Sequence, residues 1–183
     1  WQRAGGVAGA AFVSEAAGRT TWQDVLPGPD LGNQAHTVLM LVGSFGADTG
    51  ESQWLLSIGS GSGAHRWLRS GGPAVEFGVW GDDSPGSRIR SADASTARCI
   101  ATTYDGSTYR LYLDGRAAAA AAPVQFAVSG GALRIGKAAG DGRDFAGAVG
   151  RLLVYREALT PSDVAAVCSA QAASATATNA TNT

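Results

Sequence analysis

Apolar and polar residues alternate with a period of two through the middle of the chain, most cleanly from Thr108 to Asp114. Tyr109, Leu111 and Leu113 fall on one face, while Thr108, Arg110, Tyr112 and Asp114 fall on the other, as in a half-buried strand. Arg98 to Tyr104 supplies a partner strand, and Asp105-Gly106-Ser107 between them carries tight-turn chemistry. Asp114-Gly115 repeats that chemistry at the far end. Thr37 to Val42 is a continuous β-branched and apolar run closed by Gly43, which predicts a strand buried on both faces, although a short buried helix has the same pattern. Further strands are predicted at Trp54–Ile58, Val75–Trp80, Arg88–Arg90, Leu133–Gly136 and Phe145–Tyr155, and Ala10–Val13 reads as an edge strand or packed coil. In Val75–Trp80, Val75, Phe77 and Val79 share a face opposite Glu76 and Trp80.

Turn-forming residues punctuate these runs at Pro27-Gly28-Pro29-Asp30, Gly59 to Gly63, Gly81 to Gly86 and Gly140 to Asp144. Ala117 to Ala122 is the ambiguous segment. Alanine favours helix, yet six residues are too few for an isolated helix. The preceding Asp-Gly turn and the alternating Val124 to Val128 favour a strand or extended linker. One helix is predicted, Leu159 to Ala170, with Thr160 as its cap, Pro161 at the first helical position and Asp163 at the third. Val164, Val167, Cys168 and Gln171 share one of its faces. The remaining Ala, Ser, Thr and Asn residues have nothing to bury, so the reading is a domain over 1–171 and a flexible tail over 172–183. Strands joined by short loops, without helices between them, exclude a parallel α/β domain. They predict an all-β, jelly-roll sandwich of two antiparallel sheets with a short C-terminal helix.

Composition agrees with a frequently turning globular chain: 26 glycines in 183 residues, no three-residue period, and 45 % hydrophobic residues. The net charge of −1, from 14 basic and 15 acidic residues, gives no electrostatic basis for nucleic-acid binding. No apolar run is long enough to insert in a membrane. Trp1 in place of an initiator methionine fits a processed product or an excised domain. The two cysteines, Cys99 and Cys168, allow one disulfide or two buried thiols. Asn179-Ala180-Thr181 is a glycosylation sequon.

The hairpin sequence Ala101-Thr102-Thr103-Tyr104-Asp105-Gly106-Ser107-Thr108-Tyr109-Arg110-Leu111-Tyr112-Leu113-Asp114-Gly115-Arg116 resembles the central signature of laminin-G-like domains in the concanavalin A-like lectin/glucanase superfamily. The ending, Leu133-Arg134-Ile135-Gly136, then Phe145-Ala146-Gly147 and Tyr155-Arg156-Glu157-Ala158-Leu159-Thr160, resembles the family's closing strands and helix lead. In this comparison Asp105, Gly106, Asp114, Gly115, Thr160, Cys99 and Cys168 have structural roles. Cys99 is also similar to the cysteine of pentraxins, a sister group, but there the partner lies in an early strand, so that connectivity does not carry over.

The resemblance implies a secreted or cell-surface recognition module that binds glycan or protein, with neighbouring domains of a larger protein as further partners. A structural domain within a surface complex is the alternative, and a glycoside hydrolase or lyase a minor one. It also implies calcium at a loop edge, for which the candidate oxygen ligands are Asp48, Glu51, Asp82, Asp83, Asp141 and Asp144. Catalysis has little support. A retaining glycosidase needs two carboxylates about 5 Å apart, and none of Glu15, Glu51, Glu76 and Glu157 has an acidic residue two positions away. His36 reads as a structural histidine and His65 as an exposed loop residue, neither at zinc-ligand spacing. The candidate sugar-stacking aromatics are Trp67, Trp80 and Tyr112. Arg66, Arg69, Arg88, Arg90 and Arg98 make either a solvated sheet face or a patch for an anionic ligand such as a sulphated glycan. Of these, Arg66 and Arg90 are the candidate ligand contacts.

Overall fold

The structure is a computed structural model that describes residues 10–12, 26–28, 30–45, 50–59, 62–70, 74–81, 88–91, 94, 96–121, 123–128, 131–136, 145 and 147–180. The strands, in chain order, are β1 (Ala10–Phe12), β2 (Leu26–Gly28), β3 (His36–Ser44), β4 (Ser52–Ile58), β5 (His65–Ser70), β6 (Val75–Val79), β7 (Arg88–Ser91), β8 (Cys99–Tyr104), β9 (Tyr109–Leu113), β10 (Arg116–Ala121), β11 (Gly131–Ile135) and β12 (Ala148–Tyr155). One helix, α1 (Pro161–Ala180), follows. Among the described residues the strands form two antiparallel sheets, ordered β1-β12-β3-β8-β9-β10 and β2-β11-β4-β5-β6-β7.

Alternation decides which side chains meet between the sheets. Val38, Met40, Ile100, Leu111, Leu152 and Val154 of the first sheet pack against Leu56, Ile58, Trp67, Phe77, Val79 and Leu133 of the second, all buried in one cluster. The opposite face of the first sheet holds a second cluster. There Leu39, Cys99, Ala101, Tyr112 and Leu153 are covered by Leu159, Val164 and Cys168 at the start of α1. Cys99 and Cys168 form a disulfide that fastens the helix to β8.

The β8–β9 hairpin pairs Tyr104 with Tyr109 across the Asp105-Gly106 turn. Asp105 Oδ1 accepts the N–H groups of Ser107 (3.0 Å) and Thr108 (2.8 Å). At the next turn Asp114 and Gly115 both have positive φ, 49° and 78°, the conformation a two-residue hairpin demands. The α1 cap is reciprocal: Asp163 N–H donates to Thr160 Oγ1, and Thr160 N–H donates to Asp163 Oδ2, each at 3.3 Å.

Several segments differ from the sequence expectation. The alanine run is strand β10, held against β9 through a register shift between Ala117 and Ala119. Leu26–Gly28 pairs with β11 rather than only turning. Residues 124–128 form no strand; Val124, Phe126 and Val128 instead insert as buried anchors, tied to Gly32 by an isolated bridge. The helix continues to Ala180, through residues assigned above to a flexible tail. A helix already capped and covalently fastened propagates cheaply, and alanine is its best former. No helix of the described residues is long and apolar enough to cross a membrane.

Candidate functional site

The outer faces of the two sheets differ. The one described helix packs on the first sheet, so the corresponding face of the second sheet carries the candidate surface. Its composition follows from register, because each residue there flanks a core residue of the same strand. Arg134, Ser57, Arg66, Gly78 and Arg88 are successive cross-strand partners over β11, β4, β5, β6 and β7. Trp54, Leu68, Glu76 and Arg90 form the next row.

Two features organise this face. Arg66 Nη2 and Arg88 Nη1 both donate to Glu76 Oε1, at 2.5 and 3.3 Å. Trp80 stacks on Trp54, with ring centroids 4.8 Å apart and an interplanar angle of 18°. Trp54 is buried, whereas Trp80 is 37 % exposed and is the exposed large hydrophobic residue among those described. The backbone of Trp80 is held on both sides: its N–H donates to Ala64 O (2.8 Å), and its carbonyl accepts from Gly63 N–H (2.9 Å). The result is a fixed aromatic plate beside a field of guanidinium groups.

The sequence candidates therefore divide. Arg66, Trp80 and Arg90 share this face. Trp67 does not: it points between the sheets, fully buried, and its indole N–H donates to Tyr109 Oη at 3.1 Å. Its place in β5, two residues after His65, puts it on the inward phase of the alternation. Tyr112 is also buried, beneath α1, because the helix covers the side of β9 expected to face solvent. Arg98 stands apart on the first sheet, where its guanidinium donates to Gly43 O. Trp54, not singled out from sequence, supports Trp80. Its signal was the Trp54–Ile58 strand itself, but the partner across two strands was not visible.

Asp48, Asp82, Asp83, Asp141 and Asp144, the candidate calcium ligands, lie outside the described residues, and Glu51 is exposed at the turn before β4. Among the described residues no group of three His, Cys, Asp or Glu side chains is placed to hold a metal.

His65 is not an exposed loop residue. It begins β5 and is completely buried, facing His36 of the opposite sheet with Nε2 to Nε2 at 2.6 Å. His36 Nδ1 donates to Gln34 O at 2.7 Å, so its Nε2 is the acceptor and His65 Nε2–H the donor. His65 Nδ1 is left buried without a hydrogen bond. Phe126 stacks on His65 at 4.1 Å and 19°, and Tyr104 and Tyr109 pack around the pair. Burial lowers the His36 pKa to about 4, the bond to Gln34 opposing it; His65 is pushed well down by burial and then by His36. Both rings are fully buried between the sheets, so the pair reads as a structural element.

With the fold and surface in place, the family follows. A laminin G family model described as concanavalin A-like lectin/glucanases superfamily matches residues 18–165, and the chain belongs to that family. Among solved structures, the chain is similar to the CBM40 of Ruminococcus gnavus IT-sialidase, at 19 % identity and TM-score 0.58, covering 75 % of this chain and 84 % of that one. It is similar to the same CBM40 bound to alpha2,3 sialyllactose, at 16 % identity and TM-score 0.57, covering 81 % and 96 %. A Trypanosoma rangeli sialidase is similar at 14 % identity and TM-score 0.61, covering 89 % of this chain but 29 % of the enzyme. Identities this low establish a shared fold. No curated protein sequence matches the chain.

Proposed function

We propose that this domain is a non-catalytic glycan-binding module whose ligand lies on the outer face of β4–β7, against Trp80. The observation that carries the reading is the Trp54–Trp80 stack, in which a partly exposed ring is backed by a buried one at the edge of the second sheet's outer face. Such a plate suits the apolar face of a sugar ring, and the neighbouring arginines supply hydrogen-bond donors for its rim. The similarity to a CBM40 bound to sialyllactose supports the same class of ligand. A binding role is favoured over hydrolysis because the strands of this face contribute a single carboxylate, Glu76, engaged by two arginines, where a glycosidase needs two. The disulfide favours a secreted or surface location, since such bonds persist in oxidising compartments.

The test is a glycan array on the whole chain, followed by titration of the best sugar with Trp80→Ala. The variant is expected to bind at least about tenfold more weakly, or ~1.4 kcal/mol, while its melting temperature stays near that of the parent. Unchanged affinity would remove the site from this face.

A further inference from the structure

We propose that residues 124–128 are the positioning element of the Trp80 site, with Gly63 as the joint through which they act. The inference rests on the glycan-binding reading above and deepens it: the place of the exposed ring is set from outside its own sheet.

Trp80 lies one residue beyond β6, whose ladder with β5 ends where Val79 faces His65. Past that point the Trp80 backbone is held by Gly63 and Ala64. Its N–H donates to Ala64 O at 2.8 Å, and its carbonyl accepts from Gly63 N–H at 2.9 Å. A ladder end of two hydrogen bonds opens easily when its outer side is free. Here that side is closed. Gly63 O accepts the Ala127 N–H at 3.0 Å, so Gly63 is bonded to Trp80 through its N–H and to Ala127 through its carbonyl.

The fit at this joint admits no side chain. Gly63 is buried, its φ is +91°, and a Cβ on it would stand 2.6 Å from Ala127 Cβ and 3.0 Å from Ala127 N. The backbone at Ala127 therefore seats directly on Gly63, and in a close-packed contact a displacement of one is passed to the other. Residues 124–128 are themselves anchored away from the second sheet. Phe126 N–H donates to Asn33 Oδ1 at 2.9 Å, Val128 N–H donates to Gly32 O at 3.1 Å, and Gly32 N–H donates to Val128 O at 2.8 Å. Phe126 also stacks on His65 at 4.1 Å, two positions along from Gly63. Burial of Val124, Phe126 and Val128 fills the core. Exposed Ala127, between them, adds nothing to that core and instead turns its N–H onto Gly63. The path from Asn33 through Phe126, Ala127 and Gly63 to Trp80 is short, and hydrogen bonds to the backbone make each step between chain segments.

The indole N–H resonances of the isotope-labelled whole chain test this without a ligand. The Trp54 and Trp80 rings are stacked with centroids 4.8 Å apart, so each resonance reports the position of the other ring through its ring current. Trp54→Phe and Trp80→Phe assign the two peaks. Gly63→Ala should displace both, and adding Ala127→Gly, which removes the closest contact, should return them toward their parental positions. Gly106→Ala imposes left-handed strain where nothing lies within 4 Å, and should leave both peaks in place. If Gly63→Ala does not fold, Asn33→Ala, which frees Phe126 N–H on the far side of the joint, should displace the same two peaks. With the best sugar from the glycan array, a variant that moves the peaks should bind at least about fivefold more weakly, whereas Gly106→Ala should bind as the parent does. Peaks that stay in place, peaks that do not return with Ala127→Gly, or moved peaks with unchanged affinity for a sugar that needs Trp80 would each overturn the positioning role. A chain that binds no glycan overturns the glycan reading and leaves the resonances to decide whether residues 124–128 place the ring.

Discussion

Gly115 meets two constraints at one position. Its φ is +78°, and a Cβ built on it would stand 2.8 Å from Ala165 Cα and 3.3 Å from Ala165 Cβ, in helix α1. Gly106, in the previous turn, also has a positive φ, +101°, but nothing lies within 4 Å of where its Cβ would be. The pair separates backbone strain from steric contact. Gly106→Ala is expected to lose about 1 kcal/mol through the left-handed conformation alone. Gly115→Ala should lose about 2–3 kcal/mol, because the helix must also shift away from the hairpin. Urea unfolding of both variants checks this, and equal losses would show that the helix does not set the requirement. Asp114 tolerates its own positive φ because its Oδ1 accepts the N–H groups of Arg98 (2.8 Å) and Cys99 (2.9 Å), which fixes the start of β8. From sequence, Asp114-Gly115 was legible as a turn. The contact with Ala165 was not, since nothing in the turn's residues indicates what packs on it from fifty positions away.

Helix α1 is held at its beginning by three kinds of interaction: the reciprocal Thr160–Asp163 cap, the burial of Leu159 and Val164, and the disulfide. Thr37 adds a latch, since its hydroxyl donates to Glu157 O at 2.8 Å while accepting the Leu159 N–H at 2.9 Å. The cap and the inward face were legible because helix signals are local and occupy fixed positions. The disulfide was one of two open alternatives: one helix and one strand, 69 residues apart, do not reveal their distance. The same limit explains Tyr112. Alternation placed it opposite Leu111 and Leu113, but only the docked helix shows that this second face is also interior. Closing a loop of that length is worth roughly 4 kcal/mol in the chain-entropy account, and strain commonly reduces the measured value. Replacing both cysteines, Cys99→Ser with Cys168→Ser, is expected to cost about 2–4 kcal/mol in thermal or chemical unfolding. Because the proposed sugar surface lies on the other sheet, ligand affinity should be unaltered in the folded double variant. A large loss of affinity without loss of stability would mean that α1 communicates with the second sheet.

At the scale of the whole molecule, the two sheets are joined by apolar packing and by buried hydrogen bonds, one between His36 and His65 and one from the Trp67 indole to Tyr109 Oη. Both imidazole rings are neutral in the folded state at pH 7. The groups facing them are the phenols of Tyr104 and Tyr109, the ring of Phe126 and the Gln34 carbonyl, and no carboxylate contributes to either shift. A proton added to the pair therefore finds no compensating charge. With the folded His36 pKa near 4 and the unfolded value at 6.5, the unfolded chain takes up protons first as pH falls. Stability is accordingly full above pH 6.5 and declines between 6.5 and about 4. His36 alone accounts for a loss of about 3 kcal/mol at the lower limit, and His65 acts in the same direction. Asp105 shifts downward through its bond from Thr108 N–H and then its pairing with Arg110, so its own contribution is lost only below the ordinary carboxylate value of 3.8, outside this window. Urea titrations at half-unit steps from pH 7.5 to 4.5 should show the decline, and His36→Leu with His65→Phe should flatten it. Removing both partners for apolar groups also removes the bondless His65 Nδ1, so this variant is expected to match or exceed the parent at pH 5. The imidazole Hε1 resonances of the parent provide an independent measurement, with both expected to stay at their neutral positions down to pH 5. A normal titration near 6.5 for either ring, or an equally steep pH dependence in the double variant, would show that the interior histidines do not control acid stability.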